Sequence, residues 1–269
     1  MTVSIVTISF NQCAFLEEAM LSVLDQTGAD IEYIVVDPGS TDGSRELIER
    51  YRDRIDHVIL DPDTGPADGL NRGLAAATGE IFAYVNADDA LMPGAVAEAV
   101  AVFAEDQGCA VVYGNGWVID AEGRRVRRIL SSARMTPNLY VREQVMIVQQ
   151  ASFIRTAALR GVGGFNVANR TCWDGEAFLQ MARAGVRFKR VWRDWGLFRL
   201  YPGSISGGGQ LFERYKGDVD RMFADVNGRP PAALEKRLRP AVRLMRQILD
   251  PRALAIKIAH PLFKKSETR

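Results

Sequence analysis

Residues Glu80 to Asp89 read Glu-Ile-Phe-Ala-Tyr-Val-Asn-Ala-Asp-Asp, an apolar run that ends in an amide and two adjacent carboxylates. Ile81, Phe82, Tyr84 and Val85 suit a central parallel strand. In an open α/β sheet, ligands sit at the carboxyl ends of strands. Carboxylates crowded there repel each other unless a cation or an array of donors joins them. They are hard oxygen ligands, suited to Mg2+ or Mn2+, which keep several waters and bridge to substrate phosphates. The chemistry on offer is a divalent metal gripping a diphosphate. Asp88 and Asp89 serve equally well as caps of a helix starting near Pro93, since Asp is favoured at helix starts.

Other polar residues stand at comparable places. Asp37 and Asp42 flank the turn Pro38-Gly39-Ser40-Thr41-Asp42-Gly43. A carboxylate there accepts hydrogen bonds from a base or ribose, or serves the turn and the next helix. Asp68, Asn71 and Arg72 fall at the start of another helix. Arg72 either meets phosphate or is a solvated surface cation. Asp174 and Glu176 open a later helix. Trp173, Trp192 and Trp195 stack on sugars or fill the core.

The elements that would position these residues alternate regularly. Strands are expected over 3–10, 31–36, 57–60 and 81–86, with helices over 14–26, 44–54 and about 69–77 between them. This alternation predicts right-handed parallel crossovers. The fold class is α/β: a Rossmann-like, mostly parallel twisted sheet flanked by helices, with a C-terminal helical appendage. A helix follows Pro93 and a strand lies near 110–113. Asp120-Ala121-Glu122-Gly123 then predicts a hairpin turn. Further on, a helix is expected over 174–184, two strands over 188–191 and 196–201, and helices over 211–226 and 232–249.

Composition narrows the classes. The 269 residues are 47% hydrophobic and 25% charged, with net charge +1. That balance argues against a nucleic-acid binder. Cys13, Cys109 and Cys172 are far apart and form no Cys-x-x-Cys pair, so a disulfide framework or zinc site is not expected. No signal peptide or membrane span is read, and a cytoplasmic location is expected. Residues 235–269 hold ten Lys and Arg against three Asp and Glu. Leu238, Val242, Met245 and Leu249 repeat there at helical spacing, and Ile256, Ile258, Leu262 and Phe263 add apolar residues. This basic amphipathic stretch fits either an anionic membrane surface or a helical pair packed on the domain with a solvated face.

Val6-Thr7-Ile8-Ser9-Phe10-Asn11, Val35-Val36-Asp37-Pro38-Gly39-Ser40-Thr41-Asp42-Gly43-Ser44, Asp63-x-Gly65-x-x-Asp68-Gly69-x-Asn71-x-Gly73 and Val85-Asn86-Ala87-Asp88-Asp89 follow one another in order. Together with Cys172-Trp173-Asp174-Gly175-Glu176, the set resembles glycosyltransferase family 2, in particular bacterial members that build surface polysaccharides. The resemblance spans about residues 3–206.

The resemblance implies a GT-A fold, a nucleotide-diphosphate sugar donor, a divalent metal (Mn2+ or Mg2+) and inversion at the anomeric carbon. By position, Ser9, Asn11, Asp37, Asp42, Asp68, Asn71, Arg72, Asn86 and Asp88 would bind the nucleotide sugar, with Asp88 on the metal. Asn86 stands where the family carries the first acid of its Asp-x-Asp motif. Asp89 would support Asp88 or cap a helix. Asp174 would be the general base, with Glu176 in reserve. Tyr201 stands where the family often has His, so Arg199 or the loop 204–209 is a substitute diphosphate contact. Gln149, Gln150 and Trp173 would line the donor or acceptor pocket.

The catalytic domain is expected over 1–209, with 1–115 as the nucleotide-sugar half and 116–209 as the acceptor half, and 210–269 as the basic tail. The acceptor would be a hydroxyl of a glycan or a lipid-linked saccharide, reached at the inner face of the cytoplasmic membrane. A degenerate nucleotide-sugar binder is the main rival. A nucleotidyltransferase is disfavoured, because Ser9-Phe10-Asn11-Gln12-Cys13 is no Gly-rich basic loop.

Overall fold

The computed structural model describes residues 1–204 and 211–248. Strands β1 (Thr2–Ile8), β2 (Asp30–Val36) and β4 (Ile81–Asn86) are buried, β-branched and aromatic runs, as inner parallel strands must be. With β3 (His57–Ile59) they form a parallel block in the order β3-β2-β1-β4. Helices α1 (Cys13–Leu24), α2 (Ser44–Arg50) and α3 (Pro66–Ala76) make the crossovers. Ile8 lies opposite both Val36 and Asn86, so three strands end level at one edge. Ser9, Asp37 and Ala87 leave the sheet side by side there.

Close approach of α3 to the sheet depends on glycine. A Cβ on Gly73 would stand 2.6 Å from Val6 Cγ1 and 2.8 Å from Val6 Cγ2. One on Gly69 would meet Asp63 Oδ2 at 2.7 Å. The two glycines lie four residues apart, on one helical face.

Beyond β4 the chain continues through β5 (Ala90–Leu91), α4 (Ala95–Glu105), β6 (Val111–Ile119), β7 (Arg125–Ile129), α5 (Pro137–Val141), β8 (Ser152–Arg155), α6 (Thr156–Gly161), α7 (Trp173–Arg183) and β9 (Phe188–Arg199). The sheet order runs on as β4-β8-β6-β9-β5, with β7 beside β6. Pairing here is mixed. β6 and β9 are parallel; β4–β8, β6–β8, β6–β7 and β5–β9 are antiparallel. The parallel pairing therefore belongs mainly to the first half, with β6–β9 the parallel pair of the second. After β6 the chain returns by a hairpin and short segments, not by a crossover helix, and that reverses strand direction. Core residues pack on both faces of the sheet. Trp195 meets Phe153 edge-on at 5.5 Å, and Trp173 is buried as well, so both are core residues.

The two strands expected over 188–201 are one strand of 12 residues, β9. Arg193-Asp194 reads as a polar break, but Asp194 takes Arg128 Nη2 at 2.7 Å and Trp117 Nε1 at 3.0 Å. The strand bends at register shifts opposite Asn115.

Helices α8 (Phe212–Asn227) and α9 (Ala233–Ile248) follow. α8 is no loose appendage: Val219, Met222 and Phe223 are buried against Val141 and Leu179. Lys236 and Arg239 of α9 pair with Asp220 of α8. The tail residues Leu249, Ile256, Ile258, Leu262 and Phe263 and the loop 205–210 lie outside the described residues. No helix among the described residues is long and apolar enough to cross a membrane.

Gly73→Ala should lower stability by about 1–3 kcal/mol, the range for overpacking a close contact. Urea unfolding would show it as a reduced midpoint at unchanged slope. An unchanged midpoint would mean that α3 can ride away from β1.

Candidate active site

Each of the three level strand ends carries a buried polar atom without a hydrogen-bond partner: Ser9 Oγ after β1, Asp37 Oδ2 after β2 and Asn86 Oδ1 at the end of β4. Leaving such an atom unsatisfied costs about 1–3 kcal/mol. Three at one sheet edge suit a polar ligand laid across it. Asp37 is fully buried and firmly aimed. Its Oδ1 accepts Ser40 N at 2.8 Å, Gly39 N at 3.1 Å and Arg45 Nε at 3.2 Å.

Neighbouring residues build the frame. Asn11 has φ of 53°, a conformation that Asn tolerates better than most residues. Its N–H donates to Ser40 Oγ, and its Oδ1 accepts Thr41 N, joining the loops after β1 and β2. Asp42 Oδ1 accepts Ser44 N and Ser44 Oγ; its Oδ2 accepts Cys13 N. Burial raises Asp42 slightly, but those hydrogen bonds outweigh it and hold the carboxyl below its usual range. Asp42 thus secures the starts of α1 and α2, and Asp37 is left as the acid facing the strand ends.

Asp68, Asn71 and Arg72 sit on α3. Asp68 Oδ2 accepts Thr64 N at 2.9 Å, and Arg72 lies 3.6 Å from the same carboxylate. Asn71 clasps the backbone of Phe165 in both directions, at 2.8 Å each. It is a clasp between the halves of the chain, and its amide is used there. Arg72 is half-buried and, besides Asp68, keeps a long contact with Asp61 O.

The acidic turn after β4 is tied to β9. Asp89 is 2% exposed; its Oδ2 accepts Gln150 Nε2 at 2.8 Å and Asn86 Nδ2 at 2.9 Å, and its Oδ1 accepts Arg199 N at 2.9 Å. Burial, then the charge of Asp88, pushes Asp89 up to about 7. Asp89 caps no helix, and α4 starts after Gly94. Arg199 is 1% exposed. Its Nε donates to Asp88 O at 2.9 Å, its Nη1 to Asp120 O at 2.9 Å and Ala121 O at 3.1 Å, and its Nη2 to Glu18. Arg199, expected as a diphosphate contact, instead holds the turn from behind, and Gln150 does the same through Asp89.

Asp88 remains half-buried, its carboxyl raised by burial and drawn back partly by Tyr201 and Arg199. Tyr201 donates its hydroxyl to Gln12 Oε1 at 3.1 Å and stacks on Phe15 at 4.9 Å. No cluster of three or more His, Cys, Asp or Glu among the described residues could enclose a metal. The Asp88 carboxylate and the free Asn86 Oδ1 nevertheless suit a hard cation that draws most of its ligands from diphosphate and water.

Asp174 lies in the first turn of α7. Burial raises its carboxyl despite hydrogen bonds from the Gly175 and Asp174 backbone. Trp173 beside it belongs to one core cluster with Tyr84 of β4, so the start of α7 packs over that strand. Asp174 opens onto a cavity of about 320 Å3, walled by Tyr140, Met146, Phe178, Tyr215, Val219 and Met222 among others. Glu176 is different. Arg221 grips it at 2.7 Å through each nitrogen, and Asn166 and Asn169 donate at 3.0 and 2.7 Å. Burial opposes ionisation of Glu176, yet those bonds win and depress its pKa. Glu176 is therefore a poor reserve base. Arg221, Arg45 and Gln12 escaped the sequence reading: Arg221 and Gln12 meet partners 45 and 189 positions away, and Arg45, only eight residues from Asp37, is marked by no local pattern. Phe10, 58% exposed between Ser9 and Asn11, carried a readable signal as an aromatic at a strand end.

A wound parallel block with polar strand ends is extended by a mixed half that carries Asp174 on α7. The glycosyltransferase family 2 model, described as "Glycosyl transferase family 2", matches residues 4–162. The chain belongs to that family.

The structure of S. aureus TarS with UDP superposes with TM-score 0.67 at 19% identity, covering 94% of this chain and 73% of that one. The mannosyltransferase PcManGT of Pyrobaculum calidifontis, in complex with GDP-Man and Mn2+, gives 0.63 at 19% identity, covering 96% and 73%. Both establish the GT-A fold. Among curated relatives, the putative teichuronic acid biosynthesis glycosyltransferase TuaG of Bacillus subtilis is 38% identical over 90 residues, 32% of this chain and 36% of that protein. The alignments span between 33% and 54% of the length of such relatives.

Arg199→Ala should cost about 3–5 kcal/mol, the range for removing one member of a buried charged network. Arg199→Lys should recover only part, because an ammonium cannot fork to four acceptors. Thermal unfolding checks both. A loss below 1 kcal/mol in Arg199→Ala would mean that the turn does not need its buried cation.

Proposed function

We propose that this protein is an inverting glycosyltransferase that moves a sugar from a nucleotide-diphosphate donor to a hydroxyl of a glycan or lipid-linked acceptor. The observation that carries the reading is the set of three orphaned polar atoms at the strand ends, together with the half-buried, raised Asp174 carboxyl that lines a cavity at the start of α7. The nucleoside lies along Ser9, Phe10 and Asp37. Asp37 Oδ2 accepts from a base N–H, and Phe10 offers a ring face. Asp88, with Asn86 Oδ1 beside it, would hold Mg2+ or Mn2+ at the diphosphate. Such an ion stabilises the charge that develops on the leaving diphosphate.

Asp174 takes the proton of the attacking hydroxyl from the opposite side. A single displacement needs one base and inverts the anomeric centre. Its buried setting makes Asp174 more basic than a surface carboxylate, as a general base requires. Glu176 stays ionised and paired. The complexes of TarS with UDP and of PcManGT with GDP-Man and Mn2+ support the donor class and the metal for this chain. The kinship with TuaG supports an acceptor in a cell-surface polysaccharide.

The experiment is turnover of a panel of UDP-, GDP- and dTDP-hexoses, followed as nucleoside diphosphate release, with Mn2+, with Mg2+ and with chelator. Asp174→Asn should lose about 10²–10⁴-fold in kcat while nucleotide still raises its Tm. The acid limb of the wild-type rate should lie above the ordinary carboxylate range, because Asp174 must be ionised to act and burial raises it. Unchanged turnover in Asp174→Asn would remove it as the base.

Membrane contact through 232–269 is a second part of the proposal. Leu234 and Leu238 of α9 are exposed beside its basic residues. The full chain should sediment with anionic vesicles, and a chain lacking 232–269 should not. Equal sedimentation would count against the contact.

A further inference from the structure

We infer that α8 is a working part of the active site: Asp218 and Arg221, about one turn apart, grip the start of α7 on both sides of Asp174 and set where its carboxylate stands. The inference rests on reading Asp174 as the base.

α7 begins without a side-chain cap from Cys172, the residue before it. The segment leading into it is anchored by Asn169. Asn169 Oδ1 accepts Thr171 N at 3.0 Å and Cys172 N at 2.9 Å, and Asn169 Nδ2 donates to Glu176 Oε2 at 2.7 Å. The outer end of this lattice is α8. Thr171 Oγ1 donates to Asp218 Oδ2 at 2.7 Å, and Arg221 holds both oxygens of Glu176. Arg221 also lies 3.5 Å from Asp218, so the two contacts form one clamp. Thr171 precedes Asp174 by three residues and Glu176 follows it by two. The turn that bears the base is fixed on either side from one neighbouring helix.

The same helix shapes the space in front of Asp174. Tyr215, Val219 and Met222 share a face with Asp218 by helical spacing, and all three wall the cavity that Asp174 enters. α8 thus both forms the acceptor wall and aligns the base with it. Docking of α8 does not require Arg221, since Val219, Met222 and Phe223 are buried without it. Arg221 answers a local need. Glu176 is buried, and without its cation the carboxylate must move, gain a proton or draw in water. Each response shifts the first turn of α7. A misplacement of about 1 Å at a reacting group costs on the order of 100-fold in rate.

The test uses the full chain with Arg221→Met, Arg221→Lys, Asp218→Asn and Asp174→Asn on the same hexose panel. Competent sites are counted by titration with the nucleoside diphosphate, and kcat is expressed per titrated site. Arg221→Met should lose roughly 10- to 100-fold in kcat, with donor KM within about twofold, a split that general destabilisation would not produce. Arg221→Lys should regain part, keeping the charge but not the two-pronged grip, and Asp218→Asn should show a smaller loss of the same kind. If Arg221→Met yields no nucleotide-binding protein, the other two variants decide. Unchanged kcat per site in the Arg221 and Asp218 variants, alongside an inactive Asp174→Asn, would overturn the clamp alone. Full turnover by Asp174→Asn would overturn the base on which it rests.

Discussion

A guanidinium taken out of water must find partners for its N–H groups, and around Arg199 this demand organises the molecule. Its partners come from separate parts of the chain: the Asp88 carbonyl after β4, the Asp120 and Ala121 carbonyls of the hairpin turn, and Glu18 of α1. Its backbone N–H reaches Asp89. The buried cation lets two adjacent acids exist at a strand end, and it locks the turn to α1, to the hairpin and to β9 at once. The guanidinium also stacks over Phe15 at 4.8 Å, and Tyr201 packs on the same ring. The presentation of Asp88 therefore depends on residues from Phe15 to Tyr201.

Environment, more than residue type, assigns roles to the carboxylates. Asp174 and Glu176 are two residues apart on one helix and are pushed in opposite directions. Burial raises Asp174; Glu176 is lowered because Arg221, Asn169 and Asn166 outweigh its burial. A pair of acids separated in this way supplies one proton acceptor and one structural anion. Asp37 and Asp42 divide similarly. Asp42 gives both oxygens to helix starts, whereas one oxygen of Asp37 has no hydrogen-bond partner in the fold.

Much of this was legible in the residues, and the limits have a physical cause. The parallel block follows from apolar runs ending in Asn11, Asp37 and Asn86, since buried strands and their polar ends are local patterns. Asp89 stood open between supporting Asp88 and capping a helix; its side chain bonds Asn86, Gln150 and Arg199, and α4 starts only after Gly94. The scaffold duties of Asn71 and Glu176 were not legible. Asn71 meets a residue 94 positions away and Glu176 one 45 positions away, and nothing near either one in the sequence announces such a partner. β9 was read as two strands for a related reason: Asp194 looks like a break until Arg128 and Trp117 are seen to neutralise it.

The place of β9 has a consequence for how the protein comes into being. This strand, the last among the described residues, lies between β6 and β5, and it closes the sheet over segments made some 80 to 110 residues earlier. The parallel block can assemble from neighbouring segments as it leaves the ribosome. The acidic turn beside it cannot settle until residue 199 has emerged, and long-range closure of this kind is intrinsically slow. A nascent chain would thus carry a finished parallel block well before the turn that presents Asp88 is fixed.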